Sequence, residues 1–213
     1  MFPYSQLPDW KGATVVILGG GPSLQDHHFS YLEAKRHEFK TLATNRAYRR
    51  APWADLLHCC DNWFWSNHRK SQVVDGVTYP PAHLFAGVKT TAQSMPTEIP
   101  PDLVIQLPMV PRPSRPFQDP ARPIHFGWDT MYQAEQLAVV LGAVRLILLG
   151  LDGKDNGNWH EGYGHRKTTN WERMNTTRRY LADVFMHKEV EVWNCSEGSA
   201  IRAYPLGKLE DLV

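Results

Sequence analysis

Three segments concentrate the residue types that do chemistry. The first is Gly19, Gly20, Gly21, Pro22 and Ser23, directly after the apolar run Val15-Val16-Ile17-Leu18. Glycines here let the backbone turn sharply and approach a ligand closely. Pro22 and Ser23 lead toward a helix whose free N–H groups can hold a phosphate. The spacing is not the dinucleotide fingerprint, which would need glycine where Leu24 stands, nor a Walker A loop, since no Gly-Lys-Ser/Thr follows. A tight turn serving packing alone is the competing reading.

The second segment, residues 150–167, gathers His160 and His165, the carboxylates Asp152, Asp155 and Glu161, and the cations Lys154, Arg166 and Lys167 within a glycine-rich stretch. Histidine titrates near neutrality and suits general acid–base work. Arg166 and Lys167 can neutralise phosphate oxygens, and Asp152 and Asp155 can support a hard cation such as Mg²⁺, although two carboxylates are a thin donor set. Zinc at His160 and His165 would lack cysteine partners nearby. The third segment, Asn194-Cys195-Ser196-Glu197-Gly198-Ser199, offers backbone amides and the hydroxyls of Ser196 and Ser199 to a pocket floor. Asn45, Asp61 and Asn62 follow short apolar runs, where amides and carboxylates can read ribose hydroxyls or a base edge or simply form turns. The pair His27-His28 opens the first helix and reads as solvated.

These segments need a frame that brings them together. Residues 14–18, 40–44, 55–60, 145–149 and 189–193 read as strands, with weaker candidates at 82–86 and 104–107. Residues 24–36, 130–141 and 170–187 read as helices; Ala134, Leu137, Ala138 and Leu141 share one face of the second, and Gly142 closes it. Trp171, Met174, Leu181 and Phe185 are expected to face inward in the third, and residues 206–213 to form a short terminal helix. Nine of the sixteen prolines fall between Met95 and Pro123, which excludes a long helix or central strand there. That stretch is expected to run extended over the surface as a connection or, more sharply, a lid. Alternating strands and helices predict one domain, residues 1–213: a Rossmann-like α/β fold with a mostly parallel sheet and helices on both faces. In such sheets ligands bind beyond the carboxyl ends of the strands, where all three segments would lie.

Composition is that of a soluble globular protein, 42% hydrophobic and 21% charged, with 23 basic against 22 acidic residues. A net charge of +1 gives no case for wrapping nucleic acid or coating a membrane. Three cysteines, Cys59, Cys60 and Cys195, are too few for a disulfide framework, so reduced thiols in the cytoplasm are expected. The first residues carry no signal-peptide pattern, and the apolar stretch 137–151 is broken by Gly142 and Arg145, too short to span a bilayer. Oligomeric state is open, a homo-oligomer included.

The order of motifs, Ile17-Leu18-Gly19-Gly20-Gly21-Pro22-Ser23-Leu24, then Thr44-Asn45, then Leu141-Gly142-Ala143 with Ile147-Leu148-Leu149-Gly150-Leu151-Asp152, then His165, then residues 194–199, resembles the MptE-like family. That family includes archaeal 6-hydroxymethylpterin diphosphokinase together with bacterial and phage proteins. The same order is similar to bacterial CMP-sialic-acid sialyltransferases. The resemblance implies that residues 19–23 and Asn45 bind a nucleotide, that the Thr130 hydroxyl contacts the donor, and that His165, within Gly164-His165-Arg166-Lys167, is the general base on an acceptor hydroxyl. Two positions depart from the sialyltransferase pattern. Gly20 stands where asparagine is usual, and Tyr163 lies two rather than three residues before His165.

The expected activity is therefore a nucleotide-dependent transferase. It would move a diphosphate from ATP, with Asp152 or Asp61 holding Mg²⁺, or a sugar from a nucleotide donor, with Arg166, Lys167 or Tyr163 stabilising the leaving phosphate. The partners are a small-molecule nucleotide donor and a hydroxyl-bearing acceptor. The alternative is a non-catalytic binding or structural accessory protein that keeps the fold and presents Trp53, Trp63, Phe64 and Trp65 as a partner surface. The ordinary reading of those rings is core packing or the wall of an acceptor pocket.

Overall fold

The computed structural model describes residues 3–93, 95–110, 117, 123–125, 127, 129–154 and 171–213. Its centre is β1 (Thr14–Leu18). Val15, Val16, Ile17 and Leu18 have no exposed surface; Val16 and Leu18 pack in one core, Val15 and Ile17 in the other. A strand apolar on both sides is what the middle of a parallel sheet requires. The chain continues through α1 (Asp26–Lys35), β2 (Lys40–Thr44), β3 (Leu56–Cys59), α2 (Asn62–Asn67), the hairpin β4 (Gln72–Val74) and β5 (Val77–Tyr79), β6 (Val88–Thr91) and β7 (Ile105–Gln106). It then forms β8 (Met109–Val110), β9 (Ile124–His125), α3 (Thr130–Val140), β10 (Arg145–Leu149), α4 (Trp171–His187) and β11 (Glu191–Asn194).

Seven strands form one sheet in the order β11-β10-β1-β2-β3-β6-β7, every pairing parallel. Phe29 and Leu32 of α1 and Phe64 and Trp65 of α2 fill one core. Leu137 and Ala138 of α3, with Leu181 and Phe185 of α4, fill the other. The Rossmann-like α/β architecture with helices on both faces is therefore present.

Several expected elements shift. The candidate strand at 82–86 is a short 3-10 turn, Ala82–Leu84: Pro80 and Pro81 precede it, and Ala82 N–H is spent on His68 O at 2.9 Å. The strand lies just beyond, in the β-branched run Val88-Lys89-Thr90-Thr91. The aromatic run after Asp61 is helical, because the Asp61 carboxylate accepts from Phe64 N–H at 2.8 Å and caps α2. Phe64 and Trp65 are wholly buried and Trp63 is 40% exposed, so of the two readings core packing, not a partner surface, holds for Phe64 and Trp65. The terminal segment forms only a 3-10 turn, Leu209–Asp211, while Leu206 bridges to Asn194 beside β11. The proline-rich stretch is more than a surface connection. Ile99, Val104 and Leu107 are buried, and β7 ends the sheet; residues 111–116 and 118–122, which a lid would need, lie outside the described residues.

Charge ties the α3–α4 face together. Arg178 on α4 has no exposed surface; its Nη1 and Nη2 meet the two oxygens of Asp129 at 3.0 and 2.8 Å, and its Nε meets Glu135 at 3.1 Å. Tyr204 O–H donates to the second Glu135 oxygen at 2.5 Å. Burial pushes the Glu135 carboxyl up, opposed by Arg178 and Tyr204.

Two histidines are buried in neutral form. His58 has Thr90 Oγ1 at 2.9 Å on one ring nitrogen and Gln133 Oε1 at 3.0 Å on the other. His68 Nε2 accepts from Arg46 Nε at 3.3 Å, so its Nδ1 carries the proton and donates to Phe64 O at 2.8 Å. Burial lowers both from 6.5 to about 4. Between those values the unfolded chain binds protons that the native one refuses, so stability is full above about pH 6.5 and declines as pH falls toward 4. Each histidine adds a slope of up to about 1.4 kcal/mol per pH unit. Urea midpoints should drop steadily from pH 7 to pH 5, and His58→Gln should flatten that dependence; equal midpoints at both pH values would contradict the neutral-burial assignment.

Candidate functional site

Strand order reverses at β1: the chain runs outward through β2, β3, β6 and β7, and then returns to lay β10 and β11 on the other side. The crevice above the carboxyl ends of β1 and β10 is thus a topological switch point, the usual ligand position in open parallel sheets. Its walls are the two glycine-bearing turns that leave these strands. Gly19 N–H donates to Leu149 O at 2.8 Å and Gly21 N–H to Gly150 O at 2.9 Å, so the turns run against each other. No side chain fits between them. A Cβ on Gly21 would lie 1.8 Å from Asp152 Oδ2 and 2.7 Å from Gly150 O, and one on Gly19 would lie 2.7 Å from Gly150 O and 2.8 Å from Met131 Sδ. The second contact places the first turn of α3 over the glycine loop.

Asp152 is 4% exposed and turns inward. Its carboxylate accepts from Ser23 N–H at 3.2 Å and from Ser23 O–H at 2.7 Å. This alters two expectations. The Ser23 amide, expected to face a phosphate, is held by an internal anion. Helix α1 begins at Asp26 rather than at Leu24, and its first turn is capped from within, Gln25 N–H donating to His28 Nδ1 at 3.0 Å. Among the described residues, Gly20 is the loop amide left without a partner. The rings of His27 and His28 lie 3.9 Å apart, and burial together with His27 lowers His28. A pocket of about 570 Å³ opens on this side of the loop, lined by Pro22, Leu24, Gln25, Asp26 and His27.

The serines of the third segment also work inward. Ser196 Oγ accepts from Leu151 N–H at 2.7 Å, and Ser199 O–H donates to Leu151 O at 2.6 Å. Asn194 Nδ2 reaches Ser199 Oγ at 2.9 Å, and Ala200 N–H reaches Asp152 O at 2.7 Å. Both hydroxyls are buried and bonded to backbone, so they fix the loop carrying Asp152 instead of flooring a pocket.

On the other side of the crevice, β2 and β3 deliver a second cluster. Thr44 O–H donates to Leu18 O at 2.7 Å, locking the ends of β1 and β2 together. Asn45 follows with φ 50°, a left-handed conformation that asparagine tolerates better than most residues and that often marks functional strand ends. Its Oδ1 receives Cys59 S–H at 2.8 Å and Thr130 O–H at 3.3 Å, and Cys60 Sγ lies 3.0 Å from Thr130 Oγ1. Asp129 caps α3 through Tyr132 N–H at 2.9 Å while bonded to Arg178, which fixes where Thr130 sits. Cys59 and Cys60 carried no signal as site residues beyond position, Cys59 closing β3 and Cys60 following it. Asp129 carried a readable signal, an acidic N-cap ahead of a periodic apolar run.

Among the candidate residues, then, Gly19, Gly20, Gly21, Pro22, Ser23, Asn45, Thr130 and Asp152 gather at one rim. Asp61 caps α2 beside Cys60, with Cys60 Sγ 3.9 Å from its Oδ2. Asp155, His160, Glu161, Tyr163, His165, Arg166 and Lys167 lie outside the described residues. For Mg²⁺ the described carboxylates fit poorly: Asp152 is engaged by Ser23 and Asp61 by the α2 cap, and among the described residues no three His, Cys, Asp or Glu side chains are grouped to hold a metal. No described helix is long and apolar enough to cross a membrane.

The fold is similar to that of the MAf glycosyltransferase from Magnetospirillum magneticum AMB-1, with a TM-score of 0.63 at 16% identity over 99% of this chain and 38% of that one. The chain therefore spans well under half of that protein's length, and the likeness establishes the architecture alone. No protein-family model matches the sequence, and neither does any curated protein.

Proposed function

We propose that this chain is a glycosyltransferase that binds a nucleotide-sugar donor at the switch-point crevice and transfers the sugar to an acceptor hydroxyl. The observation that carries the reading is the convergence of the glycine turn, Asn45 and Thr130 at one rim, closed underneath by the Asp152–Ser23 contact. The fold it shares with a glycosyltransferase supports this side of the transferase reading, whereas the internal commitments of Asp152 and Asp61 speak against diphosphate transfer from an Mg²⁺-bound triphosphate. In the proposed reaction, His165 accepts the proton of the acceptor hydroxyl. The acceptor oxygen bonds to the anomeric carbon, and the bond from that carbon to the donor phosphate breaks. The nucleotide leaves with the electron pair, stabilised by Arg166, Lys167 or Tyr163.

A panel of nucleotide sugars, and ATP with Mg²⁺, tests the proposal. At 100-fold over Kd a true donor adds about 2.7 kcal/mol of stability, which raises the melting temperature by several degrees, and it should do so equally with a metal chelator present. His165→Ala should keep this stabilisation and lose sugar turnover. Stabilisation by ATP–Mg²⁺ alone would favour the diphosphokinase, and no stabilisation by any member of the panel would favour a binding protein.

A further inference from the structure

The two cysteines at the end of β3 have no part in the proposed transfer, yet both thiols sit on the candidate ligand residues. We infer that Cys59 and Cys60 are positioning residues that lock the Asn45 side chain with its NH₂ group toward the crevice, so that this corner of the site reads a hydrogen-bond acceptor on the donor nucleotide. The inference rests on the proposed nucleotide site and adds to it the polarity of one contact.

The geometry is a chain of donors ending on one oxygen. Cys59 Sγ is 2.8 Å and Thr130 Oγ1 3.3 Å from Asn45 Oδ1, and Cys60 Sγ lies 3.0 Å from Thr130 Oγ1. Sulfur accepts hydrogen bonds weakly, so a thiol facing an amide is best satisfied by donating to its oxygen. Burial pushes both thiols up, Cys60 to about 12, so each keeps its proton near neutral pH. Cys60 Sγ is also 3.9 Å from Asp61 Oδ2, but Thr130 Oγ1 at 3.0 Å is the nearer acceptor. With Cys60 donating to Thr130, the threonine hydroxyl has its one hydrogen left for Asn45. Two donors then saturate Oδ1 and decide the amide's orientation. The Nδ2 hydrogens have no partner among the described residues, and Asn45 is half-buried. The left-handed backbone at φ 50° further restricts where this side chain can go. A fixed pair of N–H donors at a ligand rim suits a carbonyl, ring nitrogen or ribose oxygen and disfavours a ligand N–H, because a donor placed against donors leaves both unpaired.

The test uses the full chain and the nucleotide sugar that most raises the wild-type melting temperature. Asn45→Asp replaces the outward NH₂ by an oxygen but keeps an acceptor for Cys59 and Thr130. It should retain the fold and weaken nucleotide affinity by at least about 30-fold, because a donor to the ligand is replaced by a carboxylate oxygen facing the ligand's acceptor. Cys59→Ser keeps an O–H donor and should stay within about 3-fold of wild type, whereas Cys59→Ala should lose about 10-fold in affinity, with kcat at saturating donor nearly unchanged. Equal affinities for Cys59→Ser and Cys59→Ala, both folded, would overturn the positioning role. Undiminished binding by Asn45→Asp would overturn the acceptor-reading assignment while leaving the proposed function intact. A wild-type chain that binds no nucleotide would overturn both together.

Discussion

Arg178→Met should cost about 3–5 kcal/mol of folding stability, the range for removing one partner of a buried ion pair. The substitution leaves Asp129 and Glu135 without their cation at a place where Arg178 and Glu135 are both fully buried. Glu135 would take up a proton readily, since burial already raises its carboxyl. Asp129 cannot relax so easily, because it caps α3 through Tyr132 N–H at 2.9 Å. For a chain of this size the loss translates into a melting temperature roughly 6–20 °C lower. The effect should reach the site as well, since the cap that Arg178 holds lies next to Thr130. Arg178→Met combined with Glu135→Leu should recover part of the stability, because an apolar pair of similar volume commonly replaces a buried ion pair at little cost. A single variant within 1 kcal/mol of wild type, read from urea midpoints, would refute the role given to this network.

Gly21→Ala has the second large effect, and it falls on function first. The new Cβ would stand 1.8 Å from Asp152 Oδ2 and 2.7 Å from Gly150 O. The first neighbour is a side chain that can move only by abandoning Ser23, and the second is backbone. Either response opens the contact between the two turns that wall the crevice. Overpacking of this kind costs about 1–3 kcal/mol, and nucleotide affinity should fall by more than about 10-fold, as expected when positioning groups shift by an ångström. Pairing Gly21→Ala with Asp152→Ala removes the carboxylate that collides. The double-mutant cycle should therefore show a favourable coupling of at least about 0.5 kcal/mol. Strict additivity would place the strain elsewhere.

Much of this arrangement was legible in the sequence because local chemistry and tertiary packing agree there. The run Thr14–Leu18 ends on three glycines, and it is the central strand with its turn at the switch point. Helix α3 and strand β10 fall where apolar periodicity and Gly142, at φ 100°, place them. What escaped depended on partners distant in sequence. Asp152 reads as a ligand or metal residue until the fold brings Ser23 to it, 129 positions away. Ser196 and Ser199 read as pocket-floor hydroxyls until Leu151 claims them. The short aromatic helix α2 is decided by one capping bond from Asp61, which outweighs the β preference of Trp and Phe. The hairpin of β4 and β5 is the exception, a tertiary-independent feature signalled locally by its Asp75-Gly76 turn, both residues at positive φ.

The central claim is that a nucleotide-bearing donor sits above the carboxyl ends of β1, β2 and β10. Backbone amide resonances followed during titration with the stabilising nucleotide sugar test it most directly. The account predicts that the largest shifts among the described residues cluster at Gly19, Gly20, Gly21, Ser23, Asn45, Asp129 and Thr130. Shifts concentrated instead at the opposite strand ends, around Ala13, Phe39, Gly87 and Val144, would contradict it.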